Sequence, residues 1–389
     1  MKLLRPLLYT ASCAAALAML STAQAQGVIK IGEINSYKAQ PAFLEPYKKG
    51  MELAVEEINA SGGVNGKKIQ LIVLDDQAEP SKAAANAKRL LSQDNVRLMV
   101  LSSLSSTYAP VIAETKRANV PLMLMGAVCP KEVYPPAEAL QFCTTAYAGG
   151  YDSRATLAFI KETAKEPVRI GFVAMAIPLS RGEIDYAEEQ AKTMGMTAVD
   201  KEVIPPPTAD YTPFATKLKD ANPNWIFSWA PWVTEVKTFE ALRRLGWQGD
   251  YITWAHIEAE GELARIKDPK FYVIGANSLF QDNLAIHKQI VDEAKKGNVR
   301  YPAEQLTEGW IGGMVLEAVL KNAGWPADAA KIRAAMENVK VDTQGLRGGP
   351  IEWSKDNHFR TRQYYRVYHW DPAKSAIAVA KDWVPYDVK

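Results

Sequence analysis

Short, continuous apolar runs rich in β-branched residues punctuate this chain at 28–34, 69–74, 96–101, 120–125, 168–175, 225–229, 251–254 and 271–274. Runs of that length without polar alternation fit strands covered on both faces, as in parallel sheets. Between them, apolar positions recur at helical spacing. Tyr47, Met51, Ala54, Val55 and Ile58 form one stripe that stops at Ser61-Gly62-Gly63, a C-terminal breaker. Similar stripes predict helices over 82–91, 107–118, 153–163, 182–194 and 233–245, and later ones over 284–296 and 303–322. Strand alternating with helix predicts an α/β protein with right-handed crossovers.

The strands fall into two sets on either side of Ala146-Tyr147-Ala148-Gly149-Gly150, a stretch whose two glycines suit a hinge. Two lobes are therefore expected. The late helices and a short strand pair around 351–353 and 363–369 must complete one lobe or the other, so the chain crosses between lobes more than once.

The amino terminus sets the compartment. Lys2 and Arg5 precede an apolar run over 7–20, followed by Ala23-Gln24-Ala25 of A-x-A form, which reads as a cleaved signal peptide over 1–25 and an exported, periplasmic protein. Cys13 lies inside the apolar run, which disfavours a lipid anchor. The sequence holds 46 basic and 44 acidic side chains, and losing Lys2 and Arg5 leaves them balanced, so nothing attracts nucleic acid. Only Cys129 and Cys143 remain after processing, and an oxidising compartment favours a disulfide between them, two buried thiols being the alternative.

The segment GMELAVEEINASGGVNGKKIQLIVLDDQAEPSKAAANAKRLL (50–91) resembles the first lobe of type I periplasmic binding proteins of the branched-chain amino acid transport group. In order along the chain, 101–110 is similar to that family's serine-rich turn, 225–245 to its second-lobe strand and helix, and Gly349-Pro350-Ile351-Glu352-Trp353 to its late crossover. The resemblance implies two doubly wound parallel-sheet lobes joined by a multi-strand hinge. The N-terminal lobe would comprise 28–146 plus 275–350, and the C-terminal lobe 147–274 plus 351–389. It also implies that ligand closes the hinge and that a membrane permease with its ATPase recognises the closed form.

In open parallel sheets ligands sit outside the carboxyl ends of strands. The candidate positions are thus Asn35 to Tyr37, Ser102 to Thr107, Gly126 to Cys129, Ile177 to Arg181, Pro231-Trp232 and Ala255-His256. Ser105, Ser106 and Thr107 lead into a helix, an anion-friendly end suited to a carboxylate, with helix capping as the plainer role. By resemblance, a serine there holds the ligand carboxylate, and Ala127 and Cys129 occupy the places of a backbone carbonyl and a Thr hydroxyl. A thiol is a poor substitute for that hydroxyl. Amino-acid binders carry an acidic residue where His256 falls here, with Glu258 two positions further on. Trp232 is the matching aromatic, and Tyr37, Tyr108, Tyr147, Trp229 and Trp254 are further wall candidates. Arg181 supplies a fork that can grip a carboxylate. Together these residues predict an aromatic or hydrophobic carboxylic acid as ligand.

The four histidines show no metal-ligand spacing, and neither a G-x-S-x-G elbow nor a phosphate-cradling glycine loop occurs. Asp75 and Asp76 are expected to cap the helix that follows them. The expected protein is a monomeric binding protein without catalysis or cofactor, serving an ABC importer. Branched-chain or other amino acids, or an amide or urea, are the alternative ligands, and a sensory binding module is the alternative role.

Overall fold

The computed structural model describes residues 27–126, 128–130, 133–134, 139–145, 149–254 and 259–388. The proposed leader and Ala127, Tyr147 and His256 lie outside them. Among the described residues no helix is long and apolar enough to cross a membrane.

Two sheets organise the chain. The first contains β1 (Ile29–Asn35), β2 (Ile69–Asp75), β3 (Met99–Leu101), β4 (Leu122–Leu124) and β5 (Gln141–Cys143), in the order β2-β1-β3-β4-β5 and parallel throughout. Its connections include α1 (Pro41–Ala60), α2 (Pro80–Ser92) and α3 (Tyr108–Ala118). The second sheet has the parallel strands β6 (Arg169–Met175), β7 (Thr197–Ile204), β8 (Trp225–Trp229), β9 (Asp250–Trp254) and β10 (Phe271–Gly275). Around it run α4 (Tyr151–Thr163), α5 (Pro178–Thr193), α6 (Thr212–Asp220), α7 (Trp232–Arg244) and α8 (Ala259–Ile266).

After β10 the chain returns to the first sheet's side with α9 (Ala285–Lys296), α10 (Thr307–Ala323) and α11 (Ala329–Met336), whose apolar faces share one core with β1, α1 and β4. The α1–α10 contact is close enough to need glycine. A Cβ on Gly309 would stand 1.9 Å from the Tyr47 carbonyl oxygen, and one on Gly313 2.4 Å from Ala54 Cβ.

The late strands differ from expectation. The run at 351–353 does not pair with the one at 363–369: β11 (Lys340–Val341) and β12 (Ile351–Glu352) pair with each other. Instead, β13 (Arg362–Asp371) joins β10 antiparallel and β14 (Ala376–Asp387) adds a further antiparallel edge, so the second sheet reads β14-β13-β10-β9-β8-β6-β7.

Where the chain passes between sheets, a polar cluster lies beside the aromatic contacts of Tyr134 with Tyr151 and Phe359. Arg347 and Glu308 form an ion pair in which Nη2 donates to both carboxylate oxygens, at 3.0 and 2.9 Å, with side chains only 2% and 1% exposed. Arg347 also donates to Thr144 O at 2.6 Å and Asn277 Oδ1 at 3.0 Å. Arg360 donates to Thr145 O at 2.5 Å and to Thr144 O at 3.4 Å. Residues following β5, β10 and β12 are thereby tied in one network. Cys129 and Cys143 are disulfide-bonded beside it.

A second buried charge lies in β1. The Glu33 carboxyl is wholly enclosed, and burial pushes it up to about 7 despite hydrogen bonds from Asn35 Nδ2 at 3.4 Å and the Tyr37 hydroxyl at 3.3 Å. Between the ordinary 4.5 and about 7 the folded chain keeps a proton that the unfolded chain has released. Stability therefore falls as pH rises through that window. Glu33→Gln is expected to flatten this slope, and melting temperatures of both proteins from pH 5 to 8 check it. Parallel curves would show that Glu33 is not the source.

Candidate functional site

A cavity of about 690 Å3, counting its open mouth, lies between the carboxyl ends of the two sheets. Its first-lobe wall comes from the turn after β3 (Ser102 to Ser105), from Tyr108, and from Gly126 and Val128 after β4. The second-lobe wall comes from Ile177, Leu179 and Ser180 after β6, from Trp229 to Trp232 after β8, and from Trp254 at the end of β9.

Parallel topology dictates this convergence. Most strands hand the chain to a helix that begins near the strand's carboxyl end, so helix N-termini gather around the gap. Four border the cavity: α1 next to Gln40, the single 3-10 turn Ser105–Thr107 that leads into α3, α5 next to Ile177, and α7 next to Pro231. None has a side-chain cap. Uncapped first-turn N–H groups and the helix dipoles favour negative charge. Among the described residues, no charged side chain lines the cavity.

The serine turn is held from behind. Asp76, fully buried, accepts from Ser36 Oγ at 2.6 Å, Ser103 Oγ at 2.7 Å and Ala78 N at 2.9 Å. Its role is thus to fasten the loops after β1, β2 and β3 together. The expectation that Asp75 and Asp76 cap the next helix is corrected, because Glu79 holds the cap position of α2 without a side-chain bond. Asp75 instead receives Gln77 N at 2.9 Å. Likewise none of Ser105, Ser106 and Thr107 caps: Thr107 Oγ1 donates back to Leu104 O at 2.9 Å. Ser105 Oγ accepts from Leu179 N at 3.4 Å, a hydrogen bond that spans the two lobes.

The tryptophan wall is fixed by polar contacts. Trp229 Nε1 donates to Asp152 at 3.0 Å, and Asp152 also accepts from the Tyr365 hydroxyl at 2.7 Å. Tyr365 meets Trp254 edge to face, with ring centroids 6.0 Å apart. Ser180 Oγ joins two strand ends, receiving Met175 N at 2.8 Å and donating to Trp229 O at 2.6 Å. Among the described residues Trp232 Nε1 is buried without a hydrogen-bond partner. On the first-lobe side, the Tyr108 hydroxyl donates to Val128 O at 2.9 Å, and burial pushes its phenol well above the usual range. Gly126 has φ of +70°, and a Cβ there would sit 2.8 Å from the Tyr47 ring.

Of the sequence candidates, Ser105 and Trp232 line this cavity, as do Tyr108, Trp229 and Trp254 from the wider set. Four do not. Tyr37 turns its hydroxyl to Glu33, and Ser106 stands off the lining. Cys129 is wholly buried behind Val128, its sulfur committed to Cys143. Arg181 is exposed on α5, because the first turn of that helix directs Leu179 and Ser180 inward and leaves Arg181 on the solvent side. Gln40, Phe43 and Leu44, from the start of α1, line the cavity and were missed. Their signal was available, since α1 follows β1 directly and its N-terminus faces the same gap.

The sequence profile described as "Periplasmic binding protein" matches residues 28–376. The chain is 28% identical to "Leu/Ile/Val-binding protein homolog 8" of Brucella suis, over 90% of each chain. Its fold is similar to a solute binding protein of an ABC transporter from Rhodopseudomonas palustris, solved with 3,4-dihydroxy benzoic acid (TM-score 0.78, 18% identity, 93% of this chain and 98% of that one). A similar likeness holds to the branched-chain amino acid transporter substrate binding protein LivJ of Streptococcus pneumoniae, solved with isoleucine (TM-score 0.73, 19% identity, 91% and 100%). This two-lobed chain belongs to the periplasmic binding protein family, as a type I member of its branched-chain amino acid transporter group.

Proposed function

We propose that this solute-binding protein delivers an aromatic or hydrophobic carboxylic acid, of the benzoate, hydroxybenzoate or cinnamate kind, to the membrane permease of an ABC importer. The observation that carries the reading is the division of labour across the cavity. Three tryptophans, Trp229, Trp232 and Trp254, face it from the second lobe, while a serine turn and uncapped helix ends face it from around the rim. A flat apolar body suits the first wall, and a carboxylate suits the second. The buried, unpartnered Trp232 Nε1 is a donor for an acceptor on the ligand.

The Rhodopseudomonas palustris proteins whose solved complexes name 3,4-dihydroxy benzoic acid and benzoate share this fold and support the reading. An amino acid is the second reading, favoured by the relatives named for leucine, isoleucine and valine and by the isoleucine complex. In either case the described lining supports binding, and the family's members are substrate-binding proteins that work with a permease in the periplasm.

Thermal unfolding with benzoate, 4-hydroxybenzoate, cinnamate, benzamide, leucine and isoleucine separates the two readings. The aromatic acids are expected to give the largest shift, since a ligand at 100 times its Kd stabilises by about 2.7 kcal/mol. A larger shift with leucine or isoleucine would overturn the aromatic-acid reading.

Calorimetric titration of variants then tests the wall. Trp232→Ala is expected to weaken the aromatic acid roughly 30-fold, the equivalent of about 2 kcal/mol of lost apolar and ring contact. Arg181→Ala should stay within about two-fold of the parent, because a solvent-facing charge outside the cavity contributes little. A large loss at Arg181 would show that the ligand-bound geometry draws that side chain inward.

A further inference from the structure

Helix α1 starts against the usual sequence rule. Gln40 occupies the position before its first turn, where Ser, Thr, Asp or Asn would close the helix with a side-chain bond, and it makes no such bond. Its backbone serves the helix instead: the carbonyl accepts from Phe43 N at 3.3 Å and Leu44 N at 3.0 Å, and its N–H donates to Ser36 O at 3.1 Å. Among the described residues its side-chain amide has no hydrogen-bond partner. A residue that breaks a local rule without a compensating gain in the fold points to function.

Gln40 is half-buried and lines the ligand cavity. Strand β1 neighbours β3, so the start of α1 flanks the serine turn, and a hydrogen bond from Leu104 N to Ser36 Oγ at 3.4 Å ties the two segments together. Most other polar side chains of the lining are already engaged. Ser103 holds Asp76, Ser180 holds Trp229 O, and the Tyr108 hydroxyl holds Val128 O. Ser102 is enclosed, and the Trp232 indole can only donate. Gln40 is the one side-chain amide among the described lining residues, and it brings a carbonyl acceptor to a cavity whose helix ends offer donors.

We propose that Gln40 is a specificity-determining residue: its amide carbonyl accepts a hydrogen bond from a hydroxyl on the ligand ring, so that the cavity prefers hydroxylated aromatic acids to unsubstituted ones. The assignment rests on the aromatic-acid reading of the ligand. A half-buried amide is satisfied by solvent while the cavity is open. A ligand that fills the cavity displaces that solvent, and a plain ring then leaves the amide unpaired, a cost that a ring hydroxyl avoids. An ammonium group would instead need a carboxylate, and none lines the cavity among the described residues. A few placed polar groups in an otherwise apolar pocket are what fix orientation and choice of ligand.

Calorimetric titration of the wild-type protein with benzoate, 3-hydroxybenzoate and 4-hydroxybenzoate tests this. The better hydroxybenzoate is expected to bind about ten-fold more tightly than benzoate, the worth of one neutral hydrogen bond. In Gln40→Leu, and again in Gln40→Met, which is closer in length, the ratio between the two acids is expected to fall to about two-fold or less. The amide carries no bond of the fold, so both variants should melt within about 2 °C of the parent without ligand. Equal affinity for plain and hydroxylated acids in the wild type, or a preference that survives both substitutions, overturns the role of Gln40 and leaves the aromatic-acid reading standing. Binding of none of the three acids overturns both.

Discussion

Parallel strand direction is the constraint from which the rest follows. A parallel strand cannot return by a tight turn, so each one ends where a crossover begins, and here the crossovers are mostly helices. All five strands of the first sheet and the first five of the second obey this rule. With the carboxyl ends of both sheets aimed at one gap, helix N-termini accumulate around it, together with the short polar turns that precede them. The helix ends that border the cavity favour negative charge through the backbone alone. No lysine or arginine among the described lining residues is needed for this.

The same topology forces the chain to cross between sheets, and each crossing exposes backbone groups that belong to no ladder. Arginine is suited to this task because its planar fork meets several acceptors at once. Arg347 and Arg360 satisfy carbonyls of the first crossing from residues that lie near the others. Removing Glu308 while keeping Arg347 would leave a buried charge unpaired, a far costlier state than never having buried the pair. Specific directional bonds therefore act together with the apolar packing of Tyr134, Tyr151 and Phe359 to hold the segments about which the lobes are joined.

Much of the architecture was legible because doubly covered strands must be apolar throughout. All eight runs singled out by hydrophobicity overlap strands, and the lobed α/β class follows from their alternation with helices. The elements that escaped are those the rule does not reach. Edge strand β7 carries Asp200, Lys201 and Glu202, and edge strand β14 buries none of its residues, so neither shows a continuous apolar run. Strand β5 has three residues and α8 and α11 have eight each, too short for a period to register. The site was legible by place and less so by side chain. Strand-end reasoning found nearly every segment of the cavity wall, yet it said nothing of which way each residue points. Arg181 was put in the cleft because it belongs to the strand-end segment 177–181 and carries a fork suited to a carboxylate, and one helical step of about 100° past Ser180 is what removes it.

That distinction between place and direction also applies to the tryptophan wall. An indole at a strand end has no intrinsic reason to face the gap, since it can rotate into either lobe's core. Here Asp152, in the first turn of α4, accepts hydrogen bonds from Trp229 Nε1 and the Tyr365 hydroxyl together. A carboxylate is favoured at that helix position by the dipole, and it is fully buried. Tyr365 belongs to β13, the strand that re-enters the second sheet after the last crossing, and it supports Trp254 by an edge contact. Two of the three wall tryptophans are therefore oriented by one buried acid and its partner from the far end of the sequence. A wall set this way before the ligand arrives loses little side-chain entropy on binding, so more of the aromatic contact appears as affinity.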